Sequence, residues 1–227
     1  MGARKYDRLL GIKTVGLREM EGHGHYHRYE ATPYEALDEL FQSYRFSKTG
    51  RTVDVGCGRG RVAFYIHHHF HVPVVGIEAH DKTYAEALDN KFRYRHRAQH
   101  IQAPIRLKYG LAEHYEVKPH DNCFYFFNPF SSKIFQKVVQ NIMQSIHRDN
   151  RSVDLILYYP MPGYKRVLKH QTPFRLINKV RVPGVSDERE KFLIYRFPKQ
   201  HQELFKQKNG EASHDDQTRR KQDIKTQ

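Results

Sequence analysis

Val53-Asp54-Val55-Gly56-Cys57-Gly58-Arg59-Gly60 is the stretch on which the fold turns. The apolar run TVDV passes into glycines at alternate positions and then into RVAFYIHHHF, so the segment reads as buried strand, tight loop and helix. Glycines at 56, 58 and 60 allow backbone angles and close approach that a side chain would block, so a ligand can sit against bare peptide at a helix N-terminus. A second apolar strand, VPVVGIEAH, follows and ends in an acid, Glu78, 18 residues beyond Gly60. In that position a carboxylate can bind both hydroxyls of a ribose.

Working outward, the alternation repeats. DKTYAEALDNKFRYRHRAQH is a helix and IRLKYG a short third strand; NCFYFFNPF is the most apolar strand of the chain. SSKIFQKVVQNIMQSIHR carries Ile134, Val138, Ile142 and Ile146 down one helical face, and SVDLILYYP forms a fifth strand. Five such units imply an α/β fold with a doubly wound, mostly parallel sheet. After Pro162 the pattern changes to FRLINKVRVPGV and KFLIYRFPK, which predicts a C-terminal antiparallel hairpin on the sheet edge. Upstream, residues 32–46, TPYEALDELFQSYRF, predict an amphipathic helix with Thr32 as cap and Pro33 at the first helical position. The expected organisation is an N-terminal lid or extension over 1–31, one domain over 32–198, and a polar tail over 199–227 that has almost no large apolar residues and is dispensable to the core.

At 227 residues the chain can bury one sizeable core, and 15 Tyr with 14 Phe supply large apolar surface in the absence of Trp. Its formal net charge of +14 favours polyanionic partners, nucleic acid among them, although a solvated basic surface gives the same number. The tail holds seven Lys and Arg against five Asp and Glu, so most of the excess belongs to the folded part. Cys57 and Cys123 fall in buried strand ends or tight loops, which suits a reducing cytosol. With no signal peptide and no apolar stretch of membrane-spanning length, a cytoplasmic protein without membrane association is expected. Composition says nothing about oligomeric state.

The run DVGCGRG resembles the first motif of the class I, Rossmann-like S-adenosylmethionine-dependent methyltransferases: an acid, a glycine, then G-x-G. Nicotinamide dehydrogenases usually show G-x-G-x-x-G, which here would need glycine where Arg61 stands. The resemblance implies that Asp54, Gly56, Cys57, Gly58 and Gly60 wrap the methionine and ribose end of S-adenosylmethionine, that Glu78 holds the ribose, and that Ala79 lies beside the adenine. A further cofactor element is expected after the third strand, at Ala112 and Glu113. Glu113 reads equally well as a solvated helix-cap acid.

The run Phe126-Phe127-Asn128-Pro129-Phe130 closes the fourth strand at the carboxyl edge, where open parallel sheets bind ligands. It is similar to the Asn/Asp-Pro-Pro-aromatic motif of amino-methyltransferases, which implies that Asn128 and Pro129 align a target NH2 and that the Phe130 ring stacks on a planar acceptor. It departs from that motif in passing directly to Phe130 and Ser131, without the second proline. Thr32, in Ala31-Thr32-Pro33-Tyr34, matches a Thr-Pro element that helps hold the cofactor in several of these enzymes. Tyr26 and Tyr29, in EGHGHYHRYEATPY, are candidates for stacking on or steering an acceptor. His23, His25 and His27 alternate and His67, His68, His69 and His71 cluster, but neither group has Cys or carboxylate ligands at metal spacing. The second group reads as cations at a helix C-terminus, and no metal is expected.

The sequence therefore predicts a methyltransferase acting on nitrogen of a nucleic-acid base or of a protein amide or amine. The alternatives are a catalytically inactive S-adenosylmethionine-binding module serving as a partner or RNA-binding subunit, and a small-molecule methyltransferase.

Overall fold

Each apolar run described above becomes a strand. The computed structural model, which describes residues 2–16 and 30–197, forms β1 at Arg51–Val55, β2 at Val74–Glu78, β3 at Ile105–Tyr109, β4 at Asp121–Phe126, β5 at Val153–Tyr158, β6 at Arg175–Arg181 and β7 at Lys191–Phe197. These seven strands make one sheet in the order β3-β2-β1-β4-β5-β7-β6. Strands β1 to β5 are parallel, and β7 runs antiparallel to both β5 and β6. The expected doubly wound sheet with an antiparallel hairpin at its edge is what forms. Exposed Arg175, Lys179 and Arg181 on β6 guard the open edge against further strand pairing.

Helices cover both faces, because the strand period of two divides each strand between two cores. On one face lie α1 (Ala3–Leu10), α2 (Tyr34–Ser43), α3 (Arg61–Phe70) and α4 (Asp81–Arg97), packed on Val74, Tyr125, Ile156 and Ile194. On the other, α5 (Ser132–Arg148), α6 (Pro162–Gln171) and a 3₁₀ turn at Ala112–His114 cover Val53, Val55, Phe124 and Phe126. The chain leaves β1 toward one face and β4 toward the other, so a crevice opens between their carboxyl ends. Val55 is in register with Ile77 of β2 and with Phe126 of β4, which sets the glycine loop level with both Glu78 and Phe127.

Two helices were not foreseen. Helix α1 ends at Gly11, whose φ of 72° is the left-handed conformation glycine adopts without strain. Its buried Asp7 carboxylate accepts hydrogen bonds from the Thr14 N–H (2.6 Å), the Thr14 hydroxyl (2.7 Å) and the Tyr34 hydroxyl (2.7 Å). The first part of the expected extension is thus built into the core. Helix α6 starts at Pro162, a first-turn proline here rather than the end of a pattern. The N-cap expected at Thr32 also does not form: Pro33 occupies the cap position, and the Thr32 hydroxyl is 2.8 Å from that of Tyr125. His67 is a correction of another kind. It is buried between the Tyr94 hydroxyl (2.6 Å) and the Ala103 carbonyl (2.8 Å), and burial lowers its pKa, so it is a neutral core group rather than a cation at the helix end. Tyr26, Tyr29, the first histidine group and the tail over 199–227 lie outside the described residues.

Candidate active site

Gly56, Gly58 and Gly60 have φ of 74°, 55° and 88°, all in the left-handed region. A Cβ at Gly56 would collide with Pro129, and one at Gly60 with the Phe64 ring. The N–H groups of Gly56 and Cys57 both donate to the Ile77 carbonyl at 2.9 Å, folding the loop back across the end of β2. Glu78 closes the turn: its carboxylate accepts the Gly58 N–H at 2.8 Å and the His80 N–H at 2.9 Å. Asp54 accepts the Ala63 N–H at 3.1 Å in the first turn of α3, near the positive end of the helix dipole.

Both acids are buried, and burial is the main cause that raises their pKa values. For Asp54 burial outweighs the Ala63 hydrogen bond, the Glu78 charge adds to it, and the pKa reaches about 7. Two buried carboxylates beside a bare-backbone loop form a site suited to a ligand bearing positive charge and hydroxyl groups.

Thr32, Asp54, Gly56, Cys57, Arg61, Tyr125 and Phe127 line one small cavity at this loop. Arg61 ties it to the N-terminal segment, donating to the Thr14 hydroxyl (2.7 Å) and the Thr32 carbonyl (3.1 Å). Arg59 holds the Val15 carbonyl at 2.8 Å while pairing with Glu86. Ala79, half-buried, follows β2. Ala112 is buried after β3, and the Glu113 carbonyl accepts from the Asn141 amide at 2.7 Å; none of these three lines the cavity.

Beyond Phe127 the crevice widens into a cleft of about 400 Å³ lined by Glu30, Phe127, Asn128, Tyr159, Asp187 and Glu190, among others. Phe127 is shared by both spaces. Asn128 and Tyr159 face each other with φ of 42° and 49°, a sparsely populated conformation outside glycine that concentrates at functional sites. The Asn128 NH2 donates to the Tyr159 carbonyl at 2.5 Å, and the Tyr159 hydroxyl donates to Asp187 at 2.6 Å. Hydrogen bonds from Arg189 and Tyr159 hold the Asp187 pKa below the usual carboxylate range, so Asp187 stays ionised, its charge paired with Arg189 at 2.7 Å.

Phe130 is not available to stack on an acceptor. It is 0% exposed, packed with Phe126 and Tyr164, and its carbonyl accepts the Tyr164 hydroxyl at 2.6 Å. Phe130→Ala is therefore expected to destabilise the fold by about 3–5 kcal/mol, seen in thermal or denaturant melts, with acceptor affinity of the remaining folded protein unchanged. Unaltered melting with weakened acceptor binding would return Phe130 to the cleft. The open aromatic at this loop is Phe127, which sequence reasoning missed. Alternation along β4 carried the signal, since Tyr125 and Phe127 share one face while Phe126 takes the other.

No family model matches the chain, and no curated protein is similar to it in sequence. Its fold has counterparts among solved structures. It superposes with a TM-score of 0.51 and 12% identity on a Pyrococcus abyssi tRNA (uracil-54, C5)-methyltransferase in complex with S-adenosyl-L-homocysteine, covering 75% of this chain and 40% of that one. For a Haemonchus contortus phosphoethanolamine N-methyltransferase 1, in complex with phosphoethanolamine and S-adenosylhomocysteine, the values are 0.53, 13%, 72% and 42%. For a human methyltransferase 10 domain containing protein they are 0.50, 11%, 72% and 80%. The chain thus spans less than half the length of the first two. The fold is that of the Rossmann-like S-adenosylmethionine-dependent methyltransferases. Among the described residues, no helix is long and apolar enough to cross a membrane, and no group of three His, Cys, Asp or Glu is arranged to hold a metal ion.

Proposed function

We propose that the chain is an S-adenosylmethionine-dependent N-methyltransferase whose acceptor presents an N–H donor on a planar group: a nucleic-acid base, or a protein amide or amine. The observation that carries this is the contact between Pro129 and Gly56, which sets the Asn128 loop directly on the glycine loop. The residues fit the cofactor: buried Asp54 and Glu78 offer carboxylates to its cationic and hydroxyl groups, and Gly56, Cys57, Gly58 and Gly60 offer backbone that no side chain blocks. Thr32 completes the same wall, and Ala79, Ala112 and Glu113 stand at the strand ends where the adenine is assigned. Bound there, S-adenosylmethionine supplies an electrophilic methyl group.

On the acceptor side the chain's own residues position and exclude water. An incoming N–H would be received by the Asn128 amide oxygen, which is enclosed here and would come within reach once the acceptor displaces the amide from the Tyr159 carbonyl, while Phe127 and Tyr159 flank a planar ring. Glu30 and Glu190, beside an Asp187 already paired with Arg189, favour N–H donors over an acceptor that is itself anionic at the reacting end. A neutral nitrogen nucleophile needs alignment more than a strong base, so these groups suffice. The +14 charge and the RNA-acting counterpart in fold support a nucleic acid as the acceptor. Incubation with labelled cofactor and separated RNA, DNA, protein and metabolite fractions tests the reading. Label in the nucleic-acid fraction supports it, label in metabolites alone replaces it with a small-molecule enzyme, and cofactor binding without label anywhere leaves an inactive binding module.

The pKa of Asp54 gives a second test. An ionised Asp54 favours the cationic cofactor, so affinity is expected to rise with pH through about 7 and to fall by up to about tenfold per unit below it, with protons released on binding. The apo protein should trend the other way. A carboxyl whose folded pKa is raised binds more protons folded than unfolded, so its contribution to stability is present in acid and is lost as pH rises from about 4 through about 7. Calorimetry of the cofactor between pH 6 and 8 reads the first effect, and Asp54→Asn should flatten it. A flat wild-type profile would remove Asp54 from the binding site.

A further inference from the structure

A second cleft lies at the β3 edge of the sheet, toward the amino-terminal ends of the parallel strands. It has a volume of about 760 Å³ and is walled by the C-terminal half of α4 and the start of β3. Arg106 stands three residues, about 10 Å, before the carboxyl end of β3, so the cleft opens toward the other end of the strands from Gly56 and Asn128. It takes no part in methyl transfer.

Its chemistry is one-sided. Lys91, Arg95 and Arg106 line it, His96 stands beside them, and no carboxylate belongs to its lining. Among the described residues none of these three cations has an ion pair. Lys91 and Arg95 stand four residues apart on α4, a like-charge spacing that works against the helix. Burial, and then the neighbouring guanidinium groups of Arg95 and Arg106, lower the Lys91 pKa, so the wall concentrates positive charge that its own fold leaves uncompensated. Beside it, Phe92 is 69% exposed and meets the His96 ring edge-on at a centroid distance of 4.9 Å. A large ring held in water next to three cations serves no core.

We infer that this cleft binds single-stranded nucleic acid, with Lys91, Arg95 and Arg106 on successive phosphates and a base stacked on Phe92. Cations tracking a backbone, joined to an aromatic platform, are what recognition of an unpaired strand requires, whereas an acidic polypeptide would have no use for the ring. The inference rests on the proposed function only in taking a nucleic acid as partner. It adds a second contact point, toward the amino-terminal ends of the strands, that holds the strand of nucleic acid while the acidic cleft handles its reacting base.

The test is fluorescence anisotropy of the full chain, with S-adenosylhomocysteine present, against labelled 20-mer RNA and DNA single strands and against polyglutamate, across a salt series. For the triple variant K91A/R95A/R106A, affinity for the strands should fall about ten- to a hundredfold, and the slope of log affinity on log salt should flatten by about 2, the counterions of three phosphates. Phe92→Ala should cost about tenfold with the salt slope unchanged. Cofactor calorimetry and thermal melts should match wild type in both variants, because neither touches the glycine loop. Strand binding by the wild type that both variants retain in full would overturn the inference while leaving the nucleic-acid reading of the acceptor intact. A wild type that binds neither strand would end both. Polyglutamate bound as tightly, with the same loss in the triple variant, would reassign the cleft to an acidic protein.

Discussion

Gly58→Val is expected to abolish detectable binding of S-adenosylmethionine while the protein remains folded. Gly58 has φ of 55° and donates its N–H to Glu78 at 2.8 Å, so the loop and the buried carboxylate hold each other in place. A β-branched residue resists that backbone conformation by roughly 1–2 kcal/mol, and the loop relieves the strain by moving. Movement there breaks the Glu78 contact and pushes a side chain into the space the ligand needs. The sheet beneath is untouched, so the melting temperature should drop by only about 2–8 °C, while affinity by calorimetry should fall by a factor of at least about a hundred. Glu78→Ala is the milder companion: it removes charge-assisted hydrogen bonds worth roughly 1–3 kcal/mol and leaves the backbone free to keep its turn. Binding undiminished in both variants would mean that this loop is a packing turn.

The strands were legible because burial on both faces writes itself as continuous apolar runs, and VDV, VVGI, FYFF and DLIL all read so. Helix α6 was not, because its buried Tyr164, Val167 and Leu168 are interleaved with Lys165, Arg166 and Lys169 over only ten residues. That omission propagated. Phe130 packs against Phe126 and Tyr164, and without α6 in view its ring had no core to enter and was assigned to the acceptor. Helix α1 is a stronger case of tertiary structure overriding local pattern. Its single buried acid, Asp7, is satisfied by Thr14 and Tyr34, residues that no periodicity connects to it.

The glycine loop was legible for the opposite reason: its constraint is local, and glycine is nearly the only residue that meets it. The geometry across the acceptor cleft depends instead on β5 ending at Tyr158, so that Tyr159 turns back toward Asn128. Sequence spacing carries no trace of that pairing. The same holds for Arg61, whose bonds to Thr14 and Thr32 join three separate segments at the cofactor wall.

Asn128→Ala is expected to lower the methyl-transfer rate by a factor on the order of a hundred or more while leaving cofactor affinity nearly unchanged. Asparagine tolerates the left-handed φ of 42° that this loop imposes, and its NH2 fixes the amide against the Tyr159 carbonyl at 2.5 Å. Alanine removes the group proposed to receive the acceptor N–H and also relaxes the turn, and a misplacement of about 1 Å is felt at that scale in rate. Pro129 continues to rest on Gly56, so the cofactor wall persists. Phe127→Ala supplies the control that separates alignment from capture. Loss of a stacking ring should raise the acceptor KM by roughly 1–3 kcal/mol equivalent while kcat falls less than in Asn128→Ala. Single-turnover kinetics beside thermal melts distinguish these outcomes. An Asn128→Ala protein with full activity would reduce the Asn128-Pro129 turn to a structural connection between β4 and α5, and the search for the aligning group would then move across the cleft to Tyr159.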